Sequence, residues 1–279
     1  MAASMRATPG APGDGGPHAA VLAGYARLGP RLVTWGILVL VVVLLGYSLA
    51  QLGLDLQRMA RGASQLGDFL DRAFPPDLET LPRLWGPAIA TVQIAIIGTL
   101  LGIVLSLVLG ALAASNLTPH AVVGFLLKTF FALTRAIPAL IWALLFIAAV
   151  GLGSLPGILA LGVNSIGMLG KIFAEAFEEV DPGVIEAIRA TGGNPLQVVL
   201  QGVIPQAMPT LVSWSIFRLD INIRYSSILG IVGAGGIGWE LSRASRMGDY
   251  PSAITVTLVI FLTVYLIELV TDQLRRRVQ

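Results

Sequence analysis

Arg218, Asp220 and Arg224 fall within seven residues of the stretch "FRLDINIRYSSILGIVGAGGIG" (217–238), in a 279-residue chain that is 12% charged and 55% hydrophobic. A guanidinium offers a planar fork of donors to carboxylates and tetrahedral oxyanions, so the stretch holds either an internal ion pair or an anion site. Asp220 and Arg224 stand at i, i+4, where an acid and a base meet on a helix. At about 100° per residue, Arg218, Asn222 and Tyr225 share one helical face, and Asp220, Arg224 and Ser227 share the opposite one. A helix polar on both faces belongs in the middle of a bundle. Two readings follow: Asp220 neutralises Arg224 while Arg218 snorkels to a membrane edge, or an arginine lines a path for an anion.

Gly233, Gly235 and Gly238 match the G-x-G-x-x-G spacing of a dinucleotide site, with Gly236 between them. That chemistry needs a strand before the glycines, a soluble helix after them and an acid about 20 residues further on. An apolar helical run precedes them here. Close backbone packing, or a helix break at a gate, fits the cluster better.

The elements that must position these groups are membrane helices. A mean hydropathy of +0.81 and runs of roughly 20 apolar residues give an all-α integral membrane protein with six spans, near 33–52, 87–114, 129–151, 156–176, 210–236 and 251–272. Cysteine is absent and His18 and His120 are the two histidines, so thiolate sites are excluded and no metal site is expected. Neither histidine sits beside an acid or serine cluster suited to catalysis, and no basic stripe suits nucleic acid. Arg6, Arg27, Arg31, Lys128, Lys171, Arg189 and Arg275 to Arg277 outnumber the cations of the alternate loops, which places both termini in the cytoplasm.

Residues 1–30, rich in Ala, Gly and Pro, read as a disordered cytoplasmic tail, and 31–53 as an N-terminal transmembrane helix that is retained although Ser48-Leu49-Ala50 resembles a cleavage site. Residues 54–83 mix Leu56, Met59, Leu66, Phe69 and Leu70 with Arg58, Arg61, Asp68, Asp71 and Arg72, as an amphipathic extracytoplasmic segment does; "FPPD" at 74–77 ends it. Arg135 precedes Pro138, which kinks or breaks the third span. Glu175, Glu178 and Glu179 beside Lys171 read as the solvated end of the fourth. Between spans, 178–209 reads as a knob of two short helices: Asp181 and Pro182 start the first, Gly192 and Gly193 end it, and Asn194 and Pro195 start a second that stops near Pro205 and Pro209.

Glu186, Ala187 and Gly192, with Pro205 thirteen residues further on, resemble the coupling loop of ABC importer permeases. "FPPD" (74–77), "TVQIAIIGTLLG" (91–102), "TRAIPALIWALLF" (134–146), "GMLGKIFAEAFEEVD" (167–181) and "INIRYSSILGIVGAGGIG" (221–238) resemble, in the same order, the permease of phosphonate-type importers over roughly 54–279. Ile188 departs from the alanine usual at its position, and Gly202 from an apolar residue.

The resemblance implies a five-helix type I importer core over 84–279, in a bacterial inner membrane, behind the N-terminal helix. It also implies a second copy of the chain, two cytoplasmic ATPase subunits that hold ATP and Mg (no cofactor in this chain), and an extracytoplasmic protein delivering phosphonate or a related oxyanion. Glu186, Ala187, Gly192 and Pro205 then dock the ATPase. Arg135, Arg218, Asp220, Asn222, Arg224 and Ser226 are candidates for the translocation path, and Gly233, Gly235, Gly236 and Gly238 for a gate or close packing. The rival is an ion-coupled carrier of small anions using Asp220 as a proton site, in which the knob has no task.

Overall fold

Apolar runs of this length satisfy their backbone within themselves, and a computed structural model, which describes residues 17–53 and 56–278, is helical from end to end with no strand among those residues. The chain divides into two units, 1–67 and 68–279. The first contains α1 (Pro17–Gln51), apolar all round and exposed along its length from Val33. Its stretch Val33–Gln51 is long enough to cross a membrane. The tail expected over 1–30 is helical from Pro17 onward, and its first sixteen residues lie outside those described. Pro17 takes the first helical position, where a missing N–H costs nothing, and the Ala- and Leu-rich run after it continues the span upstream.

α2 (Leu56–Ala73) reaches into the second unit, where Phe69 meets Tyr250 edge-on at 5.0 Å between ring centres. It stops before the proline pair. Asp77 then caps a short 3₁₀ turn, Leu78–Thr80, accepting from Glu79 N at 3.0 Å, and its carbonyl accepts from Thr255 Oγ1 at 2.9 Å. The helices that follow are α3 (Leu81–Ala113), α4 (Ala121–Ala136), α5 (Ala139–Val150), α6 (Ser154–Glu178), α7 (Pro182–Ala190), the single turn α8 (Pro195–Gln197), α9 (Ile204–Ile231), α10 (Ile237–Met247) and α11 (Tyr250–Val278).

Two prolines reshape what the hydropathy pattern predicts. The single span expected at 129–151 is a pair, α4 and α5, meeting at 92°. Pro138 has no N–H and pushes Ile137 into extended backbone (φ −94°, ψ 118°), so the helix cannot run through. The knob's second helix does the opposite. Rather than stopping at Pro205 and Pro209, it passes through a π-helical stretch, Val198–Val203, straight into α9. The wider turn ahead of Pro205 absorbs its missing donor and its ring. Among the described residues four helices are long and apolar enough to cross a membrane, or five if the bent pair is one span. The sixth expected span is α9, which those criteria pass over because Arg218, Asp220 and Arg224 interrupt it.

α6 packs against α3, α4, α5 and α9. Its approach to α3 depends on small residues. A Cβ at Gly98 would lie 2.8 Å from Leu161 Cβ, one at Gly110 would lie 3.1 Å from Phe173 Cβ, and one at Gly102 would run into Ser165 Cβ. Lipid supplies no hydrophobic force between helices, so this closeness is what dispersion and hydrogen bonds across the seam require.

The seam therefore makes a graded demand on glycine. Gly102→Leu should lower the melting temperature of the detergent-solubilised chain, at an overpacking cost of about 1–3 kcal/mol. Gly86→Ala, also in α3 but with nothing within 4 Å of an added Cβ, should melt with the wild type or slightly above it. Equal melting of Gly102→Leu and wild type would show that the two helices tolerate wider spacing.

Candidate functional site

Arg218 lies on α9 with 3% of its surface exposed. It does not reach for an edge of the bundle but turns toward α6. Its Nε donates to Ser165 Oγ at 2.9 Å, its Nη2 donates to Asn164 Oδ1 at 2.6 Å, and its Nη1 lies 3.5 Å from Met168 Sδ. None of these acceptors is a carboxylate. Asn222, one turn further along the same face, donates through Nδ2 to Ser165 Oγ at 2.9 Å and to Thr99 Oγ1 at 2.8 Å. Both hydroxyls spend their own protons on helix carbonyls, Ser165 on Leu161 and Thr99 on Ala95, each at 2.6 Å. They can thus only accept from Asn222, whose Oδ1 is left buried without a partner.

The break between α4 and α5 belongs to the same assembly. Without an N–H on Pro138, the Thr134 carbonyl loses its helical partner and Trp142 Nε1 reaches it at 3.5 Å. The Ile137 carbonyl is taken by Asn164 Nδ2 at 3.4 Å. Asn164 thereby joins the break to Arg218. Arg135, in the last turn of α4, is exposed and has no hydrogen bond or ion pair among the described residues. Gly167 on α6 makes room for it, since a Cβ there would lie 3.0 Å from Arg135 Cγ. Arg135 and Arg218 share the wall of a cavity of about 710 Å³ with Pro138, Asn164, Met168, Trp214 and Tyr225. The same wall holds Lys171 and Glu175, which lie 3.4 Å apart, and its remaining surface is largely apolar. The two guanidinium groups, bonded to no carboxylate among the described residues, are the groups in it that favour an anion.

The other charged candidates stand apart. Asp220 and Arg224 form the i, i+4 ion pair, with Asp220 buried and Arg224 half exposed; neither lines the cavity. Ser226 Oγ donates to the Thr91 carbonyl at 2.9 Å, and Thr91 Oγ1 accepts from the Ile237 backbone N–H at 2.8 Å, capping α10. The glycine turn 233–238 is packed around that contact. Gly236 has φ +77° and its Cβ would meet Thr91, Gly238 lies against the Ser227 carbonyl, and Gly153 N donates to Gly233 O at 3.0 Å. Among the described residues no three His, Cys, Asp or Glu side chains converge where a metal could sit.

At the other end of α6 the knob's caps form in full. Asp181 Oδ1 accepts from Gly183 N at 2.8 Å. Gly192, at φ +84°, ends α7 in the left-handed region, with Gly193 N donating to Ile188 O and Gly192 N to Arg189 O, each at 3.0 Å. Asn194 and Gln197 close a reciprocal capping box at 2.8 and 2.9 Å. Ile185, Val198 and Val203 anchor the knob on Phe173, Phe177 and Val180. Glu186, Ala187, Gly192 and Pro205 remain exposed, as do Leu196 and Leu200.

Residues 106–279 match the family of binding-protein-dependent transport system inner membrane components. The chain belongs to that family. It is 37% identical over 252 residues to the phosphite transport system permease protein PtxC of Stutzerimonas stutzeri, covering 90% of each chain. It is 41% identical over 215 residues to the phosphate-import permease protein PhnE of Mycolicibacterium smegmatis, covering 77% of this chain and 40% of that one. A chain of the MetNI methionine ABC transporter, solved in inward-facing conformations, shares the fold with a TM-score of 0.61 at 24% identity, over 73% of this chain and 99% of that one. The protein is thus a multi-pass inner-membrane transport subunit with a type I importer fold, and the self-contained carrier is set aside.

In this permease the two departures from the family's loop pattern touch. A Cβ on Gly202 would lie 2.8 Å from Ile188 Cδ1 and 3.3 Å from Val184 Cγ1. Ile188 and Val184 thus take up the space that a side chain at 202 would need. Gly202→Leu should cost about 1–3 kcal/mol by overpacking, and adding Ile188→Ala should return most of it. Melting curves of the two single variants and the double variant check this; strict additivity would refute the exchange of volume.

Proposed function

We propose that this permease, with a second copy of itself, forms the membrane path of an ATP-driven importer for phosphite, phosphonate or a closely related phosphorus oxyanion. The reading takes its substrate class from relatives named for phosphite transport and phosphate import. The cavity wall carries it to this chain: Arg135 and Arg218 present cationic forks with no carboxylate to occupy them. An oxyanion of phosphorus offers the paired oxygen acceptors such forks fit.

In this reading an extracytoplasmic protein delivers the anion, and two cytoplasmic ATPase subunits bind ATP and Mg and dock on the knob through Glu186, Ala187, Gly192 and Pro205. The exposed Leu196 and Leu200 give that surface apolar contacts. Both termini are cytoplasmic. Gly233, Gly235, Gly236 and Gly238 form the gate at the end remote from the knob. Asn222 and Ser226 hold the helices that line the path, and the Asp220–Arg224 pair stays neutral beside it, so that the charge meeting the anion is that of Arg135 and Arg218.

Arg218→Gln removes the charge and can keep the donor to Ser165, because its amide nitrogen stands where Arg218 Nε does, while it gives up the bond that Nη2 makes to Asn164. Uptake of labelled phosphite into proteoliposomes carrying the assembled complex should fall roughly 10- to 100-fold, the worth of a charge-assisted bond of about 1.5–3 kcal/mol. The variant should still co-purify with its ATPase partner. Normal uptake, or an unassembled complex, would remove Arg218 from the path.

A further inference from the structure

The face of α6 below Arg218 carries a regular stripe. Asn164, Met168, Lys171, Glu175 and Glu178 follow one another at steps of four, three, four and three residues, which keeps them in one row along the helix for about 21 Å at 1.5 Å per residue. On α4, Lys128, Ala132 and Arg135 repeat the spacing. The two rows line a groove. Its deep part is the cavity of about 710 Å³, and its shallow part is a second hollow of about 250 Å³ walled by Lys128, Ala132 and Glu178. Arg135, Lys171 and Glu175 belong to both walls. The groove runs to the end of α6 that bears the knob.

The charge along it is graded. At the deep end Arg218 has no carboxylate partner among the described residues, and Arg135, which lines both hollows, has none either. Halfway, Lys171 Nζ lies 3.4 Å from Glu175 Oε1; at the shallow end Lys128 Nζ lies 2.8 Å from Glu178 Oε1. From Lys171 onward each lysine therefore has a carboxylate competitor, and among the described residues Arg135 is the one cation of the second hollow's wall without one. We infer that the groove is an anion exit track of descending affinity, in which Glu175 and Glu178 compete for the lysines and release a tetrahedral oxyanion toward the knob. The Lys171–Glu175 pair is exposed and weak, so a passing anion and Glu175 can displace one another. Glu178, partly buried and also accepting from Ser115 N at 2.7 Å, is held in place as the competitor for Lys128. This rests on the oxyanion reading above and adds the direction of release and the residues that set it.

The chain contains no cysteine, so a single introduced thiol is the one labelled residue of the permease, read on its own band after the subunits are separated. In the reconstituted complex, Met168→Cys and Ala132→Cys would be labelled with an anionic and a cationic methanethiosulfonate of similar size. The anionic reagent should win by about tenfold or more at Met168→Cys and by little at Ala132→Cys, because the field of unpaired cations decays toward the paired ones. Adding Glu175→Gln should raise the anionic preference at Ala132→Cys. In the complex whose permease carries no introduced cysteine the same change should lower KM for phosphite two- to fivefold and lower kcat with it, as an uncovered lysine holds the anion longer. Equal reactivity toward the two reagents at both thiols, or a Glu175→Gln variant that slows uptake through a higher KM, would overturn the track. A charge gradient that is present while phosphite and phosphate fail to slow labelling at Met168→Cys would leave the track standing and defeat the phosphorus oxyanion reading instead.

Discussion

The Ser165 hydroxyl is the point on which the permease depends. It accepts from Arg218 and from Asn222 and donates to its own helix, so that α6 and α9 share one buried oxygen, and Thr99 brings α3 to the same asparagine. A charge at mid-membrane depth costs about 2.5–3.5 kcal/mol or more. Most proteins reduce that by pairing the ion. Here neutral oxygens solvate the guanidinium and leave its charge uncancelled, and the proposed anion path draws on that charge. The arrangement holds only if α3 and α6 come close, and that in turn requires a residue without a side chain at Gly102.

Much of this was legible in the sequence, and the reason is local physics. Run length gave the membrane helices, the i, i+4 spacing gave the Asp220–Arg224 pair, and the cap residues gave the knob. What was not legible came from partners far along the chain. Arg218 read equally well as snorkelling outward, because Asn164 and Ser165, more than fifty residues away, carry no mark of their role beyond being small polar residues in an apolar run. Gly167 carries no mark in the sequence of its use in seating Arg135, because that use depends on a neighbouring helix. Lys171 and Glu175 read as a solvated end because their four-three spacing acquires a meaning only once α4 supplies the other wall.

The prolines show the same division. Pro138 announces a break by its own chemistry, yet whether a freed carbonyl is tolerable depends on Trp142 and Asn164 reaching it. Pro205 announces a stop just as clearly, and there the chain widened its turn and continued. The rule is identical in both places. The outcome differs because Ile137 has a side-chain donor waiting on another helix, whereas the turn before Pro205 has Val198 and Val203 buried in the core and holding the helix in line.

Thr91 is one residue that two other helices lean on: its carbonyl receives Ser226 and its hydroxyl receives the first backbone N–H of α10. Both bonds end on α3. A slide of α3 along its own axis must therefore release α9 and uncap α10 in the same stroke, while a tilt of α3, α9 and α10 as one body breaks neither. The end of the molecule around the glycine turn is thus built as a latch with a single tongue. It resists independent shifts of its three helices and yields as a unit, so any opening there is cooperative within one subunit.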